Sequence, residues 1–176
     1  MKPVEKGWLG IPDFNPAFSL DKEEVATWCV PIDQAVRGQA LMKVFAAYDL
    51  RHDCWNLDLP MLLQTAGHCI DVMNFKLDEV TVGIGRISPL APIIQTWEEW
   101  VLEWREYPCT QATGKAIHSI EPTIEDEERN MNHGCLNGIR VGFDDGELLI
   151  QNGLDTNLLW WVNAEGSRTC LGNGND

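Results

Sequence analysis

The sequence predicts an α+β fold. N-terminal helices and one long tryptophan-rich helix pack on an antiparallel sheet that ends in a C-terminal β-meander. Three observations carry this reading. In PIIQTWEEWVLEWREY, Pro92 to Tyr107, apolar residues at Ile93, Ile94, Trp97, Trp100, Val101 and Trp104 recur every three to four positions, with Glu98, Glu99, Glu103 and Glu106 between them. That is the repeat of an amphipathic helix. In EVTVGIGRI, Val80, Val82 and Ile84 alternate with Thr81, Gly83 and Gly85, the period of a strand. Beyond residue 136, Asn137-Gly138, Asp144-Asp145-Gly146 and Asn152-Gly153 mark hairpin turns between short apolar runs.

Residues 1–18 hold Pro3, Gly7, Gly10, Pro12 and Pro16, with apolar anchors at Trp8, Leu9, Phe14 and Phe18. They read as an extended arm lying across the body. Asp21 stands three residues before Glu24, the spacing of a capping box, and a short helix follows that stops before Pro31. Asp33 caps a second helix whose stripe is Val36, Ala40, Leu41, Val44, Phe45 and Tyr48; Gly38 weakens it by roughly 1 kcal/mol relative to alanine. Asp58 caps a third, with Pro60 in its first turn and a stripe of Leu59, Leu62, Leu63, Ala66, Ile70 and Met73.

The glycines of the strand at 79–87 leave a light face that a neighbouring element can approach closely. The long helix stops at Pro108. A loop with a short strand at 116–120 follows. Thr123 then caps an acidic helical turn, TIEDEERNMN, with Gly134 at its exit. The meander strands are Ile139 to Phe143, Glu147 to Ile150 and Leu154 to Val162, and residues 171–176 form a frayed tail. With 176 residues and 44% hydrophobic content, the whole of 1–176 reads as a single domain able to bury its own core.

Thirteen Lys and Arg face 27 Asp and Glu, a formal charge of −14. From Glu98 to Glu147 twelve acids stand against four bases. Such a chain repels phosphates, which argues against direct nucleic-acid binding and favours a basic protein surface, including one that normally holds nucleic acid. High net charge also serves solubility alone. No stretch approaches the roughly 18–20 apolar residues of a membrane span, and the N-terminus lacks the apolar run of an export signal. The expected location is the cytoplasm. The six cysteines, at 29, 54, 69, 109, 135 and 170, are irregularly spaced and read as free thiols.

Cys54 is the strongest candidate for chemistry. It lies in His52-Asp53-Cys54-Trp55, shortly before the third expected helix, where a helix N-terminus favours the thiolate. From Asp53 to about Met73, the Asp-Cys-Trp followed by an apolar helix resembles the nucleophile region of the NlpC-type cysteine peptidases. The resemblance implies a cysteine hydrolase. That family places a histidine before a Val-Gly-Ile-like run, whereas Thr81 precedes Val82-Gly83-Ile84 here, leaving His118 and His133 as candidate bases. His52 with Cys54, and His68 with Cys69, lack the two tight ligand pairs of a structural zinc site, so neither metal nor cofactor is expected.

The tryptophans need two readings. Trp97, Trp100 and Trp104 suit a core. Adjacent Trp160 and Trp161 point to opposite faces of a strand, so one faces away from the core that receives the other and suits an interface. The expected function is therefore a non-enzymatic interaction protein. Its binding residues are Glu121, Glu125, Asp126, Glu127, Glu128, Asp144, Asp145, Trp160 and Trp161, and its partner is a basic, nucleic-acid-binding protein. Phage-encoded anti-defence proteins, nucleic-acid mimics and toxin-neutralising immunity proteins share this composition. The alternatives are a structural subunit of a virion or other assembly, with homo-oligomer contacts, and a hydrolase using Cys54.

Overall fold

The computed structural model describes residues 7–76, 78–94, 99–124, 136–153 and 156–171. It overturns the α+β expectation. The chain is 46% strand and 12% helix, with one α-helix and two antiparallel sheets among the described residues.

Helix α1 spans Lys22–Val36. Asp21 caps it as expected, accepting from the Glu23 N–H at 2.8 Å and the Glu24 N–H at 3.4 Å. Glu24 does not reach back; its carboxylate accepts from the Ser19 hydroxyl at 2.6 Å. The helix also runs through Pro31 instead of stopping before it. An interior proline costs about 3 kcal/mol, but the stripe Val25, Cys29, Ile32 and Val36 is buried along the whole length. Burial at roughly 1.5–3 kcal/mol per large apolar side chain outweighs that cost. Gly38, one residue past the C-cap, takes φ +80 and turns the chain out of the helix.

The second and third expected helices are strands. Strand β1 is Lys43–Asp49, β2 is Cys54–Asn56, β3 is Met61–Gln64, β4 is Cys69–Phe75 and β5 is Glu79–Ile84. The tryptophan helix is absent too: β6, Leu102–Glu106, pairs with β1, and Trp97 lies outside the described residues. In β6, Glu103 pairs with Arg105, while Leu102 and Trp104 pack against the cluster under the N-terminal arm.

Sheet 1 runs β5-β4-β3-β1, with β2 and β3 sharing one edge of β1 and β6 on the other. Sheet 2 is the meander expected at the C-terminus, extended at both ends. It comprises β7 (Ser119–Ile124), β8 (Leu136–Phe143), β9 (Gly146–Asn152), β10 (Asn157–Asn163) and β11 (Arg168–Leu171). Thr123 and Ile124 belong to β7, not to a helical turn, and Leu171 is buried in β11.

The sheets face each other. Val44, Met61, Leu63, Ile70, Val72 and Val82 of sheet 1 share one core with Ile139, Val141, Leu148, Ile150 and Leu159 of sheet 2. Helix α1 packs on β5 and β7, the two strands that end their sheets on that side. The other face of sheet 1 is covered by residues 7–18 of the N-terminal segment. Trp8 packs at a tilt against Phe18 and edge-on against Phe75, with centroids 5.0 and 5.2 Å away. Ile11 and Phe14 are buried over Ala47 and Leu62.

A buried amide joins the layers. The Oδ1 of Asn157 on β10 accepts from the Asn74 backbone N–H and from Asn74 Nδ2, both at 2.9 Å. Its Nδ2 donates to the Leu57 and Leu59 carbonyls at 2.8 and 2.9 Å. Nearby, the Tyr107 hydroxyl donates to the Leu171 carbonyl at 2.8 Å. Among the described residues no helix is long and apolar enough to cross a membrane. Asn157→Leu strips several buried polar groups of partners at once, each worth about 1–3 kcal/mol. Urea unfolding should show a loss of roughly 3 kcal/mol or more; a loss below about 1 kcal/mol would contradict this role.

Candidate functional site

The outer face of sheet 2 carries Glu121 and Trp160, two of the residues that the sequence singled out for binding. Register places Glu121, Arg140, Leu149, Trp160 and Cys170 in one row across the sheet. Trp160 is half-buried there, beside Leu158 and Val162 along its strand. Trp161 turns inward and is buried with its ring 5.8 Å from Phe143. Gly146 makes room for it, since a Cβ there would meet the Trp161 ring at 2.6 Å. The opposite-face expectation for this pair holds, and Trp160 is the outward member.

The acids of this region are less free than the sequence implied. Glu121 accepts from Arg140 at 2.6 Å. Asp145 accepts from Lys115 at 2.6 Å, and that ammonium also sits 4.3 Å from the Trp161 ring. Asp144, at the same turn, is highly exposed and lies 3.3 Å from the His118 imidazole. Glu125, Asp126, Glu127, Glu128 and His133 fall outside the described residues. Elsewhere Arg37 pairs with Asp33, Lys43 with Glu106, and Lys76 with Glu79. Among the described residues most bases are thus engaged within the chain, and the net charge of −14 is left for solvent or a partner to balance.

Cys54 sits on a β-hairpin, not ahead of a helix. It is exposed on β2, and β3 and β4 occupy the place of the expected helix. The structural basis of the resemblance to the NlpC-type peptidases is therefore lost. His118 belongs to the other sheet's edge, donating its N–H to the Gly142 carbonyl at 2.8 Å. His52 turns to the buried Asp49, to which its Nδ1 donates, and its ring lies 5.4 Å from Trp100. His68 approaches Gln39 at 3.2 Å. Among the described residues no group of three or more His, Cys, Asp or Glu could hold a metal ion.

Three other thiols, Cys29, Cys69 and Cys109, are held protonated by their surroundings. Burial pushes Cys29 up to about 12, with Glu121 and Asp33 adding to it. Burial likewise pushes Cys109 to about 11, and burial with Asp71 nearby pushes Cys69 to about 11. These thiols stay protonated near neutrality.

Two buried carboxylates escaped the sequence reading. Burial alone would raise Asp49, but N–H donation from Arg51, the His52 imidazole and the Val101 N–H together hold it at about 2. Asp71 lies buried on the arm side of sheet 1 and accepts from Arg86 Nε at 3.0 Å and from its Nη2. Burial pushes its carboxyl up, with the Arg86 guanidinium opposing. Arg86 also donates to Thr81 Oγ1 at 3.1 Å and lies 5.4 Å from the Phe14 ring. Gly83 was the available signal. A Cβ there would meet Arg86 Nε at 1.9 Å, so the light face of β5 admits a side chain of its own strand end.

Iodoacetamide should alkylate Cys54 first, with Cys29 and Cys109 reacting only on unfolding. Mass spectrometry reads the order, and early labelling of Cys29 would contradict the packing. Because exposure alone produces this order, fast labelling of Cys54 does not indicate catalysis. Asp49 has a depressed folded pKa, so its contribution to stability is full above 3.8 and is lost as the pH falls towards 2. The stability gap between wild type and Asp49→Asn should therefore be larger at pH ~5 than at pH ~2.5; an unchanged gap would contradict the hydrogen-bonding account. No protein-family model, curated protein or solved structure matches the chain.

Proposed function

We propose that this protein acts by binding, as an acidic inhibitor that occupies a basic, nucleic-acid-binding surface of another protein. The observation that carries the reading is a coincidence of two features. The chain has a net charge of −14 with its bases largely paired internally. It also has a half-exposed Trp160 on the outer face of a rigid sheet. A basic partner supplies the missing counter-charge, and an aromatic ring at the centre of a polar rim is the usual anchor of such contacts. Surface ion pairs such as Arg140–Glu121 contribute only about 0–1 kcal/mol to stability, so Glu121 can exchange Arg140 for a basic group of the partner at little cost.

The same face supports a second reading. Trp160, Leu158 and Val162 on one sheet surface also suit contact with another copy of the chain, as a structural subunit requires.

Salt separates the two. Exposed charges are screened within about 10 Å at 0.1 M salt, so an inhibitor should lose its partner steeply as salt rises, whereas an aromatic oligomer should run unchanged on size exclusion. Glu125→Lys combined with Glu128→Lys should abolish partner binding with the fold intact. Trp160→Ala should cost about 2 kcal/mol of binding, roughly thirtyfold in Kd. Affinity that survives both the reversals and high salt would overturn the inhibitor reading.

A further inference from the structure

Beyond Val80, the outer edge of β5 leaves backbone groups without partners among the described residues. Ser19 and Val80 exchange both backbone hydrogen bonds, at 3.0 and 2.8 Å. Strand residues alternate in direction, so Val82 and Ile84 turn their N–H and C=O groups to the same outer edge as Val80. Gly85 turns the other way and donates to the Cys69 carbonyl at 2.8 Å. The arm pairs at Ser19 only. Ala17, which stands opposite Val82 in this register, lines the gap without a backbone bond to the strand. Among the described residues, no backbone group bonds Val82 or Ile84 on this edge, although Val82 is only 4% exposed. Buried backbone groups are almost always paired.

The matching edge of sheet 2 is closed. There Asp33 Oδ1 accepts the Ile120 N–H at 3.2 Å, and Pro122 has no N–H to offer. At β5 the facing wall is helix α1, and the space between is a groove of about 460 Å³. Trp28, Pro31 and Ile32 form its apolar side. Glu24 and Arg86 also line it. Arg86 is neutralised by Asp71. Glu24 is exposed, engaged only at Oε2 by Ser19, so the excess charge of the groove is negative.

We propose that this groove accepts an extended peptide segment of a partner protein, added as a further strand along β5. Its backbone would pair with Val82 and Ile84, an apolar side chain would lie against Trp28 and Ile32, and a basic side chain would face Glu24. The open edge spans three residues, about 7 Å between the end Cα atoms, enough to pair a short peptide and too little for a long strand. Strand addition between an edge and a helix draws affinity from main-chain bonds and specificity from alternate side chains. This site is separate from the Trp160 face and stands or falls independently of it.

The probe is a capped Val-Lys-Val-Lys-Val peptide, titrated into the full chain and followed by backbone amide NMR. Saturable binding is expected, with shifts centred on Val82, Ile84 and the Trp28 indole. Two N-methylated versions provide the decisive comparison. Only alternate residues of an extended peptide face β5, so methylating one alternate set should weaken binding about tenfold or more, while methylating the other leaves it nearly unchanged. Trp28→Ala should also weaken binding; if that variant fails to fold, the peptide comparison on the wild-type chain still decides. Absence of saturable binding at millimolar peptide, equal tolerance of both methylated peptides, equal binding of Val-Glu-Val-Glu-Val, or shifts centred on Trp160 would each overturn the proposal.

Discussion

The rest of the structure depends on a buried carboxamide. Asn157 lies in sheet 2, but every partner of its side chain lies in sheet 1 or in the segment entering it. Apolar contact between two sheets is non-directional and tolerates sliding. A carboxamide whose donors and acceptor must all be met does not, because a small shift leaves buried polar groups unpaired. Asn157 therefore fixes the register of one sheet over the other, and Tyr107 adds a second polar tie nearby through the Leu171 carbonyl. With that register set, α1 spans from β5 to β7, closing the β7 edge through Asp33 while leaving the β5 edge open beside Trp28.

The charge distribution follows a different logic. Buried carboxylates are individually compensated, Asp49 by N–H donors and His52, Asp71 by Arg86. Several exposed bases pair with acids of neighbouring strands, as Arg140 does with Glu121 and Lys43 with Glu106. The uncompensated negative charge is thus a property of the surface, where it can steer a basic partner without disturbing the core.

Legibility in the sequence followed burial. Of the three turn signals in the meander, Asp144-Asp145-Gly146 and Asn152-Gly153 fall at strand ends, whereas Asn137-Gly138 lies inside β8; β5 was readable because its apolar residues alternate. The arm was readable because its aromatic anchors stand among prolines and glycines. Strands β1, β3 and β4 were misread as helices for one physical reason: they are buried on both faces, under sheet 2 and under the arm. Val44, Ala46 and Ala47, or Leu62 and Leu63, are therefore apolar in runs, and a run fits a helical stripe as well as a strand. The turn at Gly67, where Thr65 and His68 bond each other, was the missed punctuation. In β6 the tryptophan spacing outweighed the alternation of Leu102 and Trp104 with Glu103 and Arg105. Of the candidate site, the opposite facing of Trp160 and Trp161 was legible, but not which of them turns outward. The open edge of β5 was not, because backbone groups without partners leave no mark in a sequence.

Amide hydrogen exchange at Asn74 and Asn157 tests the central claim most directly. Both backbone amides bond across the layers, Asn74 to the Asn157 side chain and Asn157 to the Leu57 carbonyl, so freeing either requires the sheets to part. The account expects both to exchange only through global unfolding, with an exchange free energy equal to that from urea denaturation. Exchange of either amide through a local opening well below the global value would show that the sheets are not locked together at this point.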